Sequence, residues 1–280
     1  MSIELPEARI IALQMAEEIT GKRVASVYLQ DYERIQRIGF INKDIDDYKT
    51  LEGGRVESVV SRGNVVLMKF DNGMNLLLGP EYGGRVLYHA VGEDIPEKIH
   101  LRVDFKDRTA LTVRLTGMGI IHAVDGESLS DSYLYKRDFS TDALAPDAEE
   151  FTYERFSELI SERERALKAT LVGKEAVVVG LSNSAFQDVI YRAGLHPKRK
   201  ASKLDEGERR ALYKALGVVI EERLRLGGKD RFQDIHGVKG RYVPAMGPKM
   251  KGEGCPVCGT QIDRLSIGGG QVYFCPVCQK

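Results

Sequence analysis

Hydrophobic and polar positions change their rhythm three times along this chain. The opening stretch LPEARIIALQMAEEITG has helical spacing, with Pro6 in the first turn, Glu7 where the helix dipole favours an anion, and Gly21 at the stop. That helix turns Ile10 and Leu13, with Ile11 and Met15, toward a core. From Val24 to Val124 the apolar runs shorten to RVASVYL, VESVVSR, NVVLMKF, MNLLLG, GRVLYHA, LRVDF, ALTVRL and GIIHAV. Turn signals such as Asp71-Asn72-Gly73 and Lys106-Asp107 separate them, so eight short strands in a sandwich or barrel are predicted. After Phe151 helical spacing returns in FTYERFSELISE, RALKATLVG, NSAFQDVIYRAG and DEGERRALYKALGVVIEERLRLGG, the last closed by two glycines. Residues 229–254, rich in Gly, Lys and Pro, read as a mobile basic connector. The chain closes on two C-P-V-C turns around a glycine-rich β-hairpin. The expected class is therefore α+β and multidomain: residues 1–135 a β-sandwich with a leading helix, 136–150 a linker, 151–250 helical, and 251–280 a four-cysteine hairpin.

Charge and cysteine usage sharpen this. Lys+Arg and Asp+Glu both number 41, but residues 192–251 hold sixteen basic against seven acidic side chains. Such a block predicts an anionic partner more than the net charge of zero does. No apolar run reaches the roughly 18 residues of a membrane span, and MSIELPEARI lacks the basic and apolar regions of a secretory signal. The expectation is a cytoplasmic protein without membrane contact, whose cysteines stay reduced. All four cysteines, Cys255, Cys258, Cys275 and Cys278, lie in the tail, with sixteen residues between the two pairs. A redox C-x-x-C is the rival reading, but two such pairs at this distance fit one tetrahedral Zn²⁺ with no open position, a structural site.

Three pieces in order, I-E-L-P-E, VVVGLSNSAFQDVIYRAGLHPKRKAS and the terminal hairpin with Y-F-C-P-V-C-Q-K, make the chain resemble the formamidopyrimidine-DNA glycosylase and endonuclease VIII (Fpg/Nei) family over essentially its whole length. The resemblance implies an N-terminal β-sandwich, a helix–two-turns–helix domain and a zinc finger, with DNA, duplex and damaged or distorted, held in the cleft between the two halves by a monomer. GLSNSAFQDVIY looks like the family's helix–two-turns–helix, which makes Asn183 and Lys168 phosphate contacts. Asn183 precedes a helix and its competing role is a plain N-cap. Lys198 and Arg199, with Lys200 and Lys203, are further DNA-binding candidates whose bland reading is a solvated face.

The family's chemical residues are replaced. Members that cut DNA use an N-terminal proline, and alignment of E-L-P-E puts Ile3 there and Glu4 at the catalytic glutamate. Asn64 stands at the hairpin lysine, Pro80 near a void-filling methionine, LTGMGIIHA where an arginine and an aromatic wedge belong, and Gly270 at a DNA-contacting arginine. Loss of Met1 exposes the α-amine of Ser2, which can form a Schiff base, so Ser2 and Glu4 are the catalytic candidates. The competing role of Glu4 and Glu7 is capping the first helix. Three readings stay open: a DNA-binding protein of the base-excision-repair class whose activity is in doubt, a non-catalytic binder of distorted or structured nucleic acid including RNA, and a monofunctional glycosylase in which Glu4 activates water.

Overall fold

The structure, a computed structural model, describes residues 3–80, 84–173 and 175–280. The chain divides into two compact units, residues 1–141 with 226–241, and residues 142–225 with 242–280.

In the first unit α1 (Leu5–Ile19) precedes β1 (Val24–Leu29), two short helices α2 (Tyr32–Arg37) and α3 (Asp46–Lys49), and strands β2 (Val56–Arg62), β3 (Val65–Phe70), β4 (Met74–Gly79), β5 (Arg85–His89), β6 (Leu101–Phe105), β7 (Ala110–Arg114) and β8 (Ile120–Asp125). All eight expected strands form. They make two four-stranded sheets, ordered β1-β6-β7-β5 and β2-β3-β4-β8, with antiparallel pairing throughout. Alternation sends every second residue of β6 inward: Leu101, Val103 and Phe105 are buried with Val66, Met68, Leu76 and Leu78 of the other sheet. The core also takes one stripe of α1, namely Ala8, Ile11, Ala12, Met15 and Ile19. Leu13, expected in that core, lies 49% exposed, because the buried stripe runs through residues 8, 11, 12, 15 and 19 and leaves position 13 on the far face.

The stretch 136–150, expected to be a linker, begins with the end of α4 (Tyr133–Asp138). Leu134 of that helix is fully buried against Val65, Leu67 and Leu77. Further on, Leu144 and Ala145 are buried as well.

In the second unit α5 (Tyr153–Ser161), α6 (Leu167–Leu171), α7 (Asn183–Arg192) and α8 (Glu206–Arg225) realise the four expected helices. The terminal hairpin is β9 (Asp263–Ile267) paired with β10 (Gly270–Phe274), joined by a tight turn at Gly268 and Gly269, both with positive φ. No helix among the described residues is long and apolar enough to cross a membrane.

The segment whose composition predicts a mobile connector is packed instead. Phe232 and Ile235 belong to the core of the first unit, and Ile235 C=O accepts from Tyr88 N–H of β5 at 2.8 Å. Gln14 of α1 holds the same loop by donating to Asp234 at 2.8 Å and accepting from Ile235 N–H at 3.3 Å. Two close approaches fix its path. Gly228, at φ +88°, has no room for a Cβ beside the Phe232 ring and the Glu7 side chain, and a Cβ on Gly240 would strike the backbone oxygens of Gly228 and Lys229. Gly240→Ala should therefore destabilise the first unit by about 1–3 kcal/mol, lowering its thermal midpoint by several degrees. Calorimetry checks this, and an unchanged midpoint would show that the loop is held less tightly than its geometry indicates.

Candidate functional site

The four cysteine sulfurs come within 4.8 Å of one another. Sγ of Cys255 and Cys278 are 3.9 Å apart, and those of Cys258 and Cys275 3.5 Å. A tetrahedral ion with Zn–S bonds near 2.3 Å has sulfur edges of about 3.8 Å, so the donor set and its spacing fit one Zn²⁺. Without a cation the thiols oppose one another. Burial raises Cys255, but bonds from the Tyr191 hydroxyl and nearby backbone N–H groups outweigh it and bring the thiol to about 6, while hydrogen bonding with Cys258 pushes Cys278 up to about 12. A divalent ion removes that conflict by holding all four as thiolates. The chain thus carries a structural zinc at Cys255, Cys258, Cys275 and Cys278, and the four protein ligands leave no position for a substrate.

The hairpin built on that zinc reaches back to α6 and α7. Ser182, not Asn183, is the N-cap of α7, its hydroxyl accepting from Ser184 N–H at 3.2 Å. Asn183 occupies the first helical position, and its side chain serves another use. Its Nδ2 donates to the Gln271 carbonyl at 2.6 Å and its Oδ1 accepts from Lys168 Nζ, also at 2.6 Å. Lys168 Nζ donates in addition to the Ile267 carbonyl at 2.9 Å. Gln187, one turn along α7, accepts from Tyr273 N–H of β10 at 2.8 Å. A Cβ on Gly270 would lie 3.1 Å from Lys168 Nζ, so the glycine makes room for the lysine over the hairpin tip. Burial pulls the Lys168 amine below its ordinary value. Lys168, Asn183 and the hairpin turn therefore form one locus.

At the other end of the sequence, the carboxylates of Glu4 and Glu7 are fully buried in the first unit. Glu7 accepts from the Glu4 backbone N–H at 3.1 Å, which closes the start of α1. Glu4 does more than cap. Its Oε2 receives Lys229 Nζ at 2.7 Å, with Glu7 Oε2 at 3.9 Å from the same nitrogen. The Lys229 backbone N–H donates to Glu7 Oε1 at 3.2 Å. The side chains of Lys229 and Glu4 are 4% and 0% exposed, so a complete ion pair is sealed inside the unit. Ile3 packs in the core beside it. Ser2 lies outside the described residues.

Comparison with known proteins agrees along the length of the chain. The family models of the formamidopyrimidine-DNA glycosylase N-terminal domain, its H2TH domain, and the zinc finger found in FPG and IleRS match residues 3–116, 143–233 and 252–280. The chain belongs to the Fpg/Nei family. A formamidopyrimidine-DNA glycosylase of Halalkalibacterium halodurans is 28% identical over 283 residues, covering 99% of each chain. One from Bacillus cereus is 25% identical over 296 residues, covering 99% of this chain and 98% of its own. Among solved structures, Lactococcus lactis Fpg in complex with DNA containing an abasic site superposes with TM-score 0.84 at 21% identity, over 99% of each chain. The MutM (Fpg) protein of Thermus thermophilus gives 0.82 at 24% identity, over 99% and 98%.

Against that family the departures acquire local structure. Asn64, where the resemblance leads one to expect the hairpin lysine, sits in the β2–β3 turn, where its N–H donates to Asp138 Oδ2 at 3.0 Å and its Oδ1 accepts from Arg137. Arg137 also holds Asp138 through Nε at 2.7 Å, so α4 brings a guanidinium to this turn. Sequence reasoning missed Arg137, because only the fold sets position 137 beside position 64. In the β7–β8 loop, where the arginine and aromatic wedge are expected to be missing, Met118 is 56% exposed. The adjacent Gly119 has no room for a Cβ beside Leu115 and the Gly79 carbonyl, which keeps the loop tight. Pro80 is buried at the end of β4, and residues 81–83 of LGPEYGG lie outside the described residues.

Lys198 and Arg199 lie in the segment that follows α7. Arg199 is held by Glu208 at 2.5 Å, which occupies much of its charge, whereas Lys198 is exposed. Neither belongs to the Lys168–Asn183 locus by any hydrogen bond among the described residues.

Two outcomes follow from these sites. Metal analysis should find one zinc per chain, lost in Cys255→Ser and in Cys278→Ser, with chelation unfolding the hairpin; full zinc content in both variants would sink the assignment. Lys229→Met should cost the first unit about 3–5 kcal/mol by leaving buried carboxylates without their cation. The double change Lys229→Met with Glu4→Gln should recover part of that loss in denaturant unfolding.

Proposed function

We propose that this chain is a DNA-binding protein of the base-excision-repair class that grips duplex DNA, damaged or distorted, through its backbone phosphates, as a monomer in the cytoplasm or nucleoid. The observation that carries this is the Lys168–Asn183 locus on the zinc hairpin. A buried ammonium, an amide side chain in the first turn of α7 and a glycine-lined turn converge there. The N-terminal turn of a helix, with its free N–H groups and positive dipole end, favours phosphate. Lys168 is poised for such a ligand, since burial disfavours its charge and an arriving phosphate restores it. Contacts of this kind position a nucleic acid without reading its sequence.

The covalent route of the family is not supported by the residues present. Ile3 offers only an amide nitrogen where a secondary amine is needed, and it is packed in the core. The carboxylate of Glu4 already accepts from Lys229 at 2.7 Å, so any proton transfer to a sugar or water must displace that bond. Only if Met1 is removed does Ser2 offer a primary α-amine, one residue further from Glu4 than the family arrangement. A non-catalytic binder of structured nucleic acid, RNA included, is the alternative that the same phosphate locus serves.

Binding measured by fluorescence anisotropy at several salt concentrations should weaken steeply with salt. Lys168→Ala and Asn183→Ala should each weaken all duplex sequences alike, Lys168→Ala with a salt slope lower by about one. Salt-independent binding would overturn the phosphate reading, and preference for RNA hairpins over every duplex would favour the alternative. Borohydride trapping on abasic DNA should give no adduct. An adduct formed by native protein and lost on N-terminal acetylation would make Ser2 the nucleophile. Base release without trapping, abolished by Glu4→Gln, would make Glu4 the activator of water.

A further inference from the structure

The basic residues after α7 surround a depression of about 560 Å³ lined by His196, Lys198, Arg199, Lys200, Lys203 and Lys280, with no acidic side chain in its wall. It is rigidly framed. Lys200 pairs by its backbone with Ala166, the Arg199 carbonyl accepts from Leu167 N–H at 2.8 Å, and Ala201 N–H donates to the Arg165 carbonyl at 2.9 Å. His196 N–H donates to the Lys280 carbonyl at 2.8 Å, and Lys280 N–H to the Gly194 carbonyl at 2.9 Å. Leu195, Ala201 and Leu204 are buried beneath. The backbone is thus stitched down on both sides while the lysine side chains point out. Arg199 is neutralised by Glu208, but Lys198, Lys200, Lys203 and Lys280 make no side-chain ion pair among the described residues. Ammonium groups held without counter-charge around one hollow repel one another, in a chain whose total charge is zero. A multiply charged anion relieves that repulsion, and a single surface charge does not need so fixed a frame.

The position of the hollow narrows the ligand. The His196 ring meets the Phe274 ring edge-on at 4.8 Å, so the hollow sits at the end of β10. Gly270, at the other end of the same strand, touches Lys168. Four residue steps at about 3.3 Å separate Gly270 from Phe274 by about 13 Å, so one strand sets the spacing between the two places. A phosphodiester backbone presents phosphates at such separations, and a free phosphate does not bridge them. We propose that this hollow is a second phosphate-binding site of the protein, which takes the nucleic-acid backbone at a fixed distance from the Lys168–Asn183 locus. It rests on the nucleic-acid reading and extends the bound length beyond that locus.

The test uses the full, zinc-loaded chain and a fluorescent duplex. A variant with Lys198→Ala, Lys200→Ala and Lys203→Ala should bind at least about tenfold more weakly, with the salt slope lower by about two to three. The matching triple change to arginine should bind as the native chain does, which separates charge from fold. The alanine variant's loss should multiply with that of Lys168→Ala. If the triple variant binds duplex with native affinity and slope while Lys168→Ala is impaired, the second site is wrong and the first stands. If native protein binds no nucleic acid, both fall. Inorganic triphosphate supplies the remaining arm: tight binding that the triple variant loses, with duplex affinity intact, would make the hollow a site for free polyphosphate and overturn the proposal.

Discussion

One buried ion pair closes the first unit of this protein. Lys229 Nζ meets Glu4 Oε2 at 2.7 Å, and the two residues are 225 positions apart in sequence. Everything that surrounds the pair is arranged to let that happen. Glu7 satisfies the Glu4 N–H and so fixes the entry to α1. Gly228 and Gly240 allow the returning loop to lie against Glu7 and against itself. Gln14 clamps the loop from the next turns of α1. The chain leaves the first unit after residue 141, returns for residues 226–241 and leaves again, so this loop belongs to the unit by contact and not by sequence neighbourhood. Desolvating an ion pair gains little stability over an apolar contact, but removing one partner costs several kcal/mol. The pair therefore specifies where the loop sits more than it adds to the strength of the fold.

That specification bears on chemistry. A carboxylate that catalyses must exchange protons with a substrate, within hydrogen-bond reach and with freedom to change partners. Glu4 has a committed partner and no exposed surface. Ile3 beside it adds a branched apolar side chain to the same core. Ile3 and Lys229 act on Glu4 from two sides: an apolar neighbour in the core, and a lysine that engages its carboxylate. They bind the start of α1 and the returning loop into one closed core.

What could be read from the sequence follows the range of the forces involved. The eight strands and the four helices after Phe151 were legible because alternation and helical spacing are local. The zinc site was legible because the chemistry of four thiols at that spacing admits few alternatives. Leu13 was misplaced because a stripe one residue to the side satisfies the same periodicity. Residues 229–254 looked mobile because Gly, Lys and Pro suggest exposure, yet Gly228 and Gly240 are there for close approach, and Lys229 for a buried partner. Arg137 beside Asn64 and Lys229 beside Glu4 are long-range pairings, and a single sequence read alone offers no signal for them.

The hairpin and α6 share one positive charge. Position 270 begins β10. Glycine there leaves a gap, and Lys168 fills it by lying over the turn, where Asn183 and the Ile267 carbonyl receive its ammonium. The positive charge is then carried by α6 and aimed by the hairpin. That makes the charge depend on the zinc, because the turn that orients Lys168 is folded by the four thiolates. A cation delivered from the hairpin itself would move with the hairpin, whereas Lys168 stays on its helix and loses only its orienting carbonyl. The zinc in this chain thus acts on the Lys168–Asn183 locus through geometry alone, by presenting Ile267 and Gln271 to two side chains that the helices supply.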